Sequence, residues 1–254
     1  MNKMDIEGIY MNYHSLTGVT EALKDINFSL EEGEFISIVG PSGCGKSTLL
    51  NILCGLLPPS QGSIFIDGEK ISGPNEKMGY MFQKDQLFPW LTVWDNVVLG
   101  LKIKKQLNKK AKENIDILLN NYGLKDFKNH KPSELSGGMR QRVALIRTLA
   151  LSPHILLLDE PFSALDYQSR LMVSDEIFNI IKQEGKTAIM VTHDISEAIS
   201  TSSKIIVLSR RPAIIKKVIN IEMDSEYTSP LKRREAPNFR EYFNLIWKEL
   251  DLNE

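Results

Sequence analysis

A stretch near the start of the chain reads Gly40-Pro41-Ser42-Gly43-Cys44-Gly45-Lys46-Ser47-Thr48. It matches the pattern G-x-x-x-x-G-K-[ST] of a phosphate-binding loop. A β-rich run, Phe35–Val39, precedes it, and residues 46–57 follow with apolar side chains at helical spacing. Glycines let backbone N–H groups turn toward phosphate oxygens, and a helix N-terminus adds the positive end of its dipole. The stretch therefore predicts a strand, a loop and a helix, with Lys46 on the β- and γ-phosphates and the Ser47 hydroxyl on Mg²⁺.

An apolar run farther along the chain ends in two carboxylates, Asp159 and Glu160. A parallel strand delivers such residues to the carboxyl edge of its sheet, where nucleotides bind. Asp159 is predicted to hold the Mg²⁺ shell through water. Glu160 points the other way and is predicted to polarise an attacking water.

The rest of the pattern predicts an α/β architecture interrupted by helices. Runs of β-type residues occur at 6–10, 23–30, 64–66, 155–158, 187–191 and 204–208, and residues 89–152 are mostly helical. Strands that alternate with helices indicate a mainly parallel sheet covered on both faces. Residues from about 225 onward are interpreted as a polar linker and an amphipathic helix at 239–250. That helix is predicted to pack Tyr242, Phe243, Ile246 and Trp247 on the body, with a partner-binding tail as the alternative.

Composition narrows the class of protein. Among 254 residues, 31 Lys and Arg face 32 Asp and Glu, so the net charge of −1 argues against a protein that holds nucleic acid or anionic lipid by bulk charge. Six lysines between residues 102 and 112 lack interleaved aromatics and are interpreted as a solvated face. No apolar run approaches the length of a membrane span, and no signal peptide is expected from the pattern of residues 1–5. With two cysteines, Cys44 and Cys54, a reducing cytoplasmic compartment is expected.

A third motif makes a family recognisable. It reads Leu135-Ser136-Gly137-Gly138-Met139-Arg140-Gln141-Arg142, and its serine stands 23 residues before Asp159 (159 − 136 = 23). It closely resembles the signature motif of ABC-type ATPases. Further family positions are matched in the expected order by Tyr13 (the adenine-stacking aromatic), Gln83 (the Q-loop), Ser163-Ala164-Leu165-Asp166 (the D-loop) and His193 (the switch histidine). The resemblance covers about residues 5–222.

The resemblance implies an α/β fold of the P-loop NTPase type. It comprises a mainly parallel sheet, an N-terminal antiparallel β subdomain and an α-helical subdomain inserted at about residues 89–153. The ATPase domain would span residues 1–224, and residues 225–254 would form the C-terminal linker and helix. The implied cofactors are ATP and Mg²⁺. The implied nucleotide-binding residues are Tyr13, Gly40, Pro41, Ser42, Gly43, Cys44, Gly45, Lys46, Ser47, Thr48 and Asp159.

Catalysis and assembly are implied in the same way. Glu160, His193 and Gln83 would be catalytic, and Ser47, Gln83 and Asp159 would hold the metal. The signature residues Leu135, Ser136, Gly137, Gly138 and Met139 would be offered to the ATP of a second ATPase subunit, with a homodimer expected. The other implied partners are two membrane permease subunits and, indirectly, an extracellular solute-binding protein, with no nucleic acid. The implied location is the cytoplasmic face of the cell membrane.

Two features favour a subfamily. Met139 stands where the commonest signature has Gln, and a Pro-Trp-Leu-Thr-Val run at residues 89–93 follows the Q-loop. Both features resemble those of the ATPases that serve importers of nitrate, sulfonates, taurine or thiamine-precursor pyrimidines. Phe88, Trp90 and Leu91 would line the groove that receives a permease helix, or else form the core of the helical subdomain.

Two other functions stay open at this point. A soluble ABC ATPase that moves no solute, acting in assembly, translation or repair, is one. A nucleotide-binding regulatory module without turnover is the other, although Glu160 and His193 count against it.

Overall fold

The structure is a computed structural model that describes residues 2–16 and 18–250. In those residues the strands are β1 (Asn2–Ser15), β2 (Gly18–Glu31), β3 (Phe35–Val39), β4 (Gln61–Ile66), β5 (Glu69–Ile71), β6 (Met78–Met81), β7 (Ile155–Asp159), β8 (Thr187–Val191), β9 (Lys204–Leu208) and β10 (Ile215–Asn220). The α-helices there are α1 (Lys46–Leu53), α2 (Val93–Ile103), α3 (Lys109–Asn121), α4 (Gly137–Leu149), α5 (Tyr167–Gln183), α6 (Ile195–Thr201), α7 (Pro230–Arg233) and α8 (Phe239–Leu250). Residues 1, 17 and 251–254 of the predicted domains lie outside the described residues.

A six-stranded sheet of order β10-β9-β3-β8-β7-β6 runs through the described part of the chain. All neighbours in it are parallel except β10, which pairs antiparallel with β9. Ile38 and Asp159 both pair with Val191, so the carboxyl ends of β3, β7 and β8 are adjacent. These strand ends bring the residues that follow them to one edge of the sheet, and the mainly parallel sheet predicted from the sequence is confirmed.

An antiparallel sheet of order β2-β1-β4-β5 forms the second layer. β4 and β5 are joined by Asp67 and Gly68, both at positive φ (53° and 79°), as in a tight two-residue hairpin turn. Ile6 of this sheet, Leu50 of α1 and Ile38 of the parallel sheet belong to one buried cluster. The phosphate-loop helix is therefore packed between the two sheets, which fixes its direction.

The helices α2, α3 and α4 lie between β6 and β7 in the chain. Their apolar faces form a cluster that includes Val97, Leu119 and Leu145 and continues onto Leu156 and Leu158 of β7. The six lysines between residues 102 and 112 are exposed, as expected for a solvated face, and two of them pair with Asp95 and Glu76. Across residues 2–16 and 18–250, no helix combines the length and the apolar run that a membrane span requires.

Several sequence-based element limits differ from the structure. The helix predicted over residues 46–57 ends at Leu53, because the backbone of Gly55 has φ +76°, which is not helical. Position 55 requires glycine, since any Cβ there would clash with the backbone of Gly73. β1 and β2 extend well beyond the predicted runs. β5, β6 and β10 have no counterpart among those runs.

The C-terminal helix packs on the body through part of its predicted face. Ile246 is fully buried, and Tyr242 and Phe243 are partly buried against the same cluster. The prediction for Trp247 is wrong: its side chain is 57% exposed and stacks on Phe243. Successive side chains of an α-helix point about 100° apart around its axis. Because Ile246 points into the body, the side chain of Trp247 points to the side of the helix and is exposed.

Candidate functional site

The phosphate loop lies between β3 and α1. Gly45 precedes the first helical residue with φ +122°, a backbone angle that a side chain would strain. Lys46 is 7% exposed, and its ammonium donates to the carbonyls of Gly40 at 2.8 Å and Pro41 at 3.0 Å. The loop thus folds around its own lysine charge, beside a helix N-terminus without a side-chain cap. Such an arrangement is suited to binding phosphate.

Cys44 lies inside this loop and is buried. Burial raises the pKa of the Cys44 thiol, and the opposing charge of Lys46 lowers it less. The thiol is therefore protonated at neutral pH, as expected of a small packed cysteine and not of a reactive thiolate.

Ser47 and Asp159 meet where α1 faces the end of β7. The Ser47 hydroxyl donates to Asp159 Oδ1 at 3.2 Å, and the Tyr80 hydroxyl donates to Oδ2 at 3.1 Å. Burial raises the pKa of Asp159, while these two hydrogen bonds lower it. Burial, with the charge of Asp159, also raises the pKa of Tyr80 far above its usual value, so Tyr80 remains a donor. The sequence analysis missed Tyr80, whose position on β6 next to β7 is set by strand pairing.

Glu160 is held by two residues from other strand ends. Gln83 Nε2 donates to Glu160 Oε2 at 3.0 Å, and His193 Nδ1 lies 3.2 Å from the same oxygen. The backbone N–H of Glu160 donates to the Val191 carbonyl at 2.9 Å, with φ +45° at Glu160. The structure thus brings together the three residues predicted to be catalytic, with Gln83 and His193 both within hydrogen-bonding distance of one carboxylate oxygen of Glu160.

Tyr13 reaches the phosphate-loop helix from β1. Its hydroxyl lies 3.2 Å from Thr48 Oγ1, and its ring is 42% exposed. Tyr10, the other aromatic residue near it on β1, is paired with Gln61 of β4. The exposed face of Tyr13 is therefore suited to stack on a base.

The signature segment forms the start of α4. The Ser136 side chain caps the helix by accepting from the Met139 N–H at 3.2 Å. A Cβ on Gly138 would lie 2.8 Å from Val173, and one on Gly137 would lie 3.0 Å from Leu165 of the D-loop. Glycine is thus required for close packing of the signature on the D-loop and α5. In the part of the chain that is described, no hydrogen bond joins residues 135–139 to residues 40–48.

The D-loop is fixed at both of its ends. The Ser163 hydroxyl donates to the Glu160 carbonyl at 3.0 Å, and Asp166 caps α5 by accepting from the Ser169 N–H at 3.0 Å. Leu165 is buried, and Ala164 lies between it and Ser163. The predicted D-loop residues therefore connect Glu160 to the surface that carries the signature.

Two further residues near the site were missed. Glu197 of α6 is 4% exposed, accepts from the Thr192 hydroxyl, and has its pKa raised to about 7 by burial. Arg211 donates through Nε to the Gly43 carbonyl at 3.1 Å and so braces the phosphate loop from outside. The only sequence signal for Glu197 was its place three residues after the His193-Asp194 pair. No sequence signal marked Arg211.

The oxygen atoms of Asp159 and Ser47 are suited to bind a small hard cation. Mg²⁺ prefers oxygen ligands and usually retains waters and substrate phosphates. A hydroxyl and a carboxylate already meet at Ser47 and Asp159, while no group of three or more His, Cys, Asp or Glu side chains that could hold a metal occurs among the described residues. Ser47 and Asp159 are therefore residues that could hold Mg²⁺ here, with further ligands from a nucleotide.

The fold and this edge of the sheet are typical of a nucleotide-binding protein, and comparisons with known proteins agree. The ABC transporter family model matches residues 23–163. An uncharacterized ABC transporter ATP-binding protein, YtlC of Bacillus subtilis, is 45% identical over 99% of this chain and 96% of its own length. The aliphatic sulfonates import ATP-binding protein SsuB of Bacillus cereus is 42% identical over 97% of this chain and 99% of its own length.

Solved structures extend the comparison to the fold. A dimeric structure of MJ0796, described as a bacterial ABC transporter cassette, has a TM-score of 0.74 at 34% identity and covers 86% of this chain and 99% of its own. CbiO1 from Clostridium perfringens, part of the ABC transporter complex CbiONQ, has a TM-score of 0.75 at 30% identity, covering 86% and 88%. The chain belongs to the ABC transporter ATP-binding proteins, and it is an ATPase with the ABC cassette fold.

Proposed function

We propose that the chain is the ATP-hydrolysing subunit of an ABC importer for a small anion, in the group that includes nitrate, sulfonates and taurine. The observation that carries the proposal is an exposed aromatic pair next to the Q-loop. Trp90 is 69% and Phe88 36% exposed, and their rings contact each other at 5.3 Å between centroids. Aromatic side chains dominate protein interfaces, so this pair is suited to receive a permease segment.

Hydrogen bonds from a buried asparagine hold the backbone beside the aromatic pair. Asn96 is fully buried, accepts from the Phe88 N–H at 2.8 Å and donates to the carbonyls of Phe88 at 3.1 Å and Thr92 at 2.9 Å. Leu91 is only partly exposed, and Leu87 and Val93 are buried. Buried side chains therefore flank this segment, and the exposure of Phe88 and Trp90 supports the groove interpretation for these two residues over the core interpretation.

In the proposed hydrolysis, different residues of the site bind phosphate, hold the metal ion and activate water. Lys46 and the loop amides bind phosphates, and Ser47, Asp159 and the Oε1 of Gln83 are the protein atoms that would hold Mg²⁺. The ion, when bound, neutralises charge on the phosphate oxygens. Glu160 accepts a proton from the attacking water, while His193 and Gln83 orient the Glu160 carboxylate.

The signature is proposed to act on the ATP of a second copy of the chain. Ser136 and the amides of Gly137 and Gly138 form a helix N-terminus that is separate from the phosphate loop of the same chain. Two head-to-tail copies would each complete the site of the other, so that ATP binding closes the pair and hydrolysis reopens it. The solved structures of the MJ0796 cassette are dimeric, which supports this arrangement.

The catalytic part of the proposal is tested with Glu160→Gln. This variant is expected to bind MgATP as the wild type does, to lose at least about 100-fold in hydrolysis, and to accumulate as an ATP-bound dimer. Steady-state phosphate release and analytical ultracentrifugation measure the two effects. Normal hydrolysis by this variant would show that Glu160 is not the catalytic base.

The transport part is tested with a candidate permease and binding protein, chosen because their genes lie beside the gene of this chain. Import is supported if the chain co-purifies with the permease in detergent and if its ATPase rate rises with binding protein loaded with an alkanesulfonate, taurine or nitrate. The anion that stimulates identifies the solute. Co-purification with soluble partners alone would favour the non-transport alternative.

A further inference from the structure

Arg140 joins the Q-loop to the signature segment. Its Nε donates to Asp85 Oδ2 at 3.0 Å, and its Nη1 donates to the Leu135 carbonyl at 2.7 Å. Asp85 Oδ1 also accepts from the Leu87 N–H at 3.1 Å, which fixes the orientation of the carboxylate. A guanidinium holds donors in a rigid plane, so one side chain can bond in both directions at once.

Arg147 makes a second connection from the same helix. Its Nη1 donates to the Gln86 carbonyl at 2.7 Å and its Nη2 to the Asp85 carbonyl at 2.8 Å. Arg140 and Arg147 are seven residues apart (147 − 140 = 7), about two helical turns, and therefore lie on one face of α4. That face holds the turn of the Q-loop, in which Gln86 has φ +48°.

The held segment has a functional residue on each side. Gln83, two positions before Asp85, donates to Glu160, and Phe88, three positions after it, belongs to the proposed docking pair. Arg140 itself follows Met139 at the end of the signature. One ion pair therefore lies between the docking segment, the catalytic carboxylate and the surface proposed to meet the ATP of a second subunit.

We propose that Arg140 is a positioning residue that makes the Q-loop and the signature turn move as one unit. Coupling between sites requires a physical connection whose state both sites bias, and the Asp85–Arg140–Leu135 connection has that form. A shift of the docking segment is passed through Asp85 to Arg140 and so to the carbonyl at the start of the signature. The inference rests on the proposed function, in which the signature acts across a dimer.

The test uses the Glu160→Gln chain, in which ATP-driven dimers persist. Arg140→Ala and Asp85→Asn are each expected to leave the ATP affinity of the dilute monomer within about twofold and to raise the dimer dissociation constant about tenfold, a typical size for site-to-site coupling. The double variant is expected to lose no more than either single one, because both act through the same contact. Arg140→Lys, which keeps the charge, is expected to recover part of the loss.

Asp116→Asn is the matched control. It removes the carboxylate partner of Lys128 in the same subdomain, away from the Q-loop, and is expected to leave dimerisation unchanged. Dimer dissociation is measured by ultracentrifugation with MgATP, and thermal unfolding checks that each variant folds. Asp85→Asn, on a loop, decides the outcome if Arg140→Ala does not fold. An unchanged dimer dissociation constant, or additive losses in the double variant, overturns the inference but not the proposed function. Absence of ATP-driven dimers in the Glu160→Gln chain itself overturns both.

Discussion

Replacing Glu197 with glutamine is expected to stabilise the protein at neutral and alkaline pH. Glu197 is 4% exposed, and burial raises its pKa from 4.5 to about 7. The Thr192 hydroxyl bonded to it lowers the pKa, the charge of Asp194 raises it, and Arg170 and Arg234 lower it. Burial outweighs these neighbours, so the folded protein must ionise a carboxyl that it holds out of water.

The direction of the pH effect follows from the shift. The pKa of Glu197 is higher in the folded than in the unfolded state, so between pH 4.5 and about 7 the folded state binds the extra proton. The stability contributed by the protonated carboxyl is fully present below pH 4.5 and is lost as the pH rises through about 7. At about 1.4 kcal/mol per pKa unit, the loss amounts to about 3 kcal/mol.

Glutamine keeps the shape of the side chain and an acceptor for Thr192 but does not ionise. Glu197→Gln is therefore expected to raise the free energy of unfolding by about 1–3 kcal/mol at pH 8 and by little at pH 5. Urea unfolding at the two pH values measures this difference, and Glu241→Gln, at an exposed carboxylate of α8, serves as the control. A stability gain equal at both pH values, or no gain at pH 8, would refute the assignment of a buried, raised carboxyl.

Three further variants probe other parts of the structure. Lys46→Ala removes a charged donor from the phosphate loop and is expected to weaken ATP binding roughly 10- to 100-fold in a titration, given about 1.5–3 kcal/mol for such a hydrogen bond; unchanged affinity would contradict this role. Gly138→Ala places a Cβ 2.8 Å from Val173 and is expected to lower the free energy of unfolding by about 1–3 kcal/mol, with Val173→Ala restoring part of it. Trp90→Ala is expected to change the free energy of unfolding by less than about 0.5 kcal/mol, because the ring is exposed, yet to reduce recovery of the chain with the permease in detergent. Full recovery would exclude Trp90 from the docking surface.

Local sequence determined much of the fold. The run Phe35–Val39 forms β3 as predicted, and β8, β9 and α8 have the predicted limits, because continuous β-branched runs and a strong helical period leave few alternatives. The ordered motifs likewise identified the family, since a phosphate loop and its partner carboxylates need particular residue types at particular spacings. The residues proposed for nucleotide binding and catalysis all came from such local patterns.

Tertiary structure decided what no local pattern carries. Tyr80 donates to Asp159 only because β6 pairs with β7, and the pKa of Glu197 is raised only because α6 packs into the body. Arg140 and Asp85 are 55 residues apart in the chain, and either alone reads as a solvated charge. Burial and pairing across such distances depend on how the sheets and helices pack, because the energy of a charge is set by what surrounds it in space.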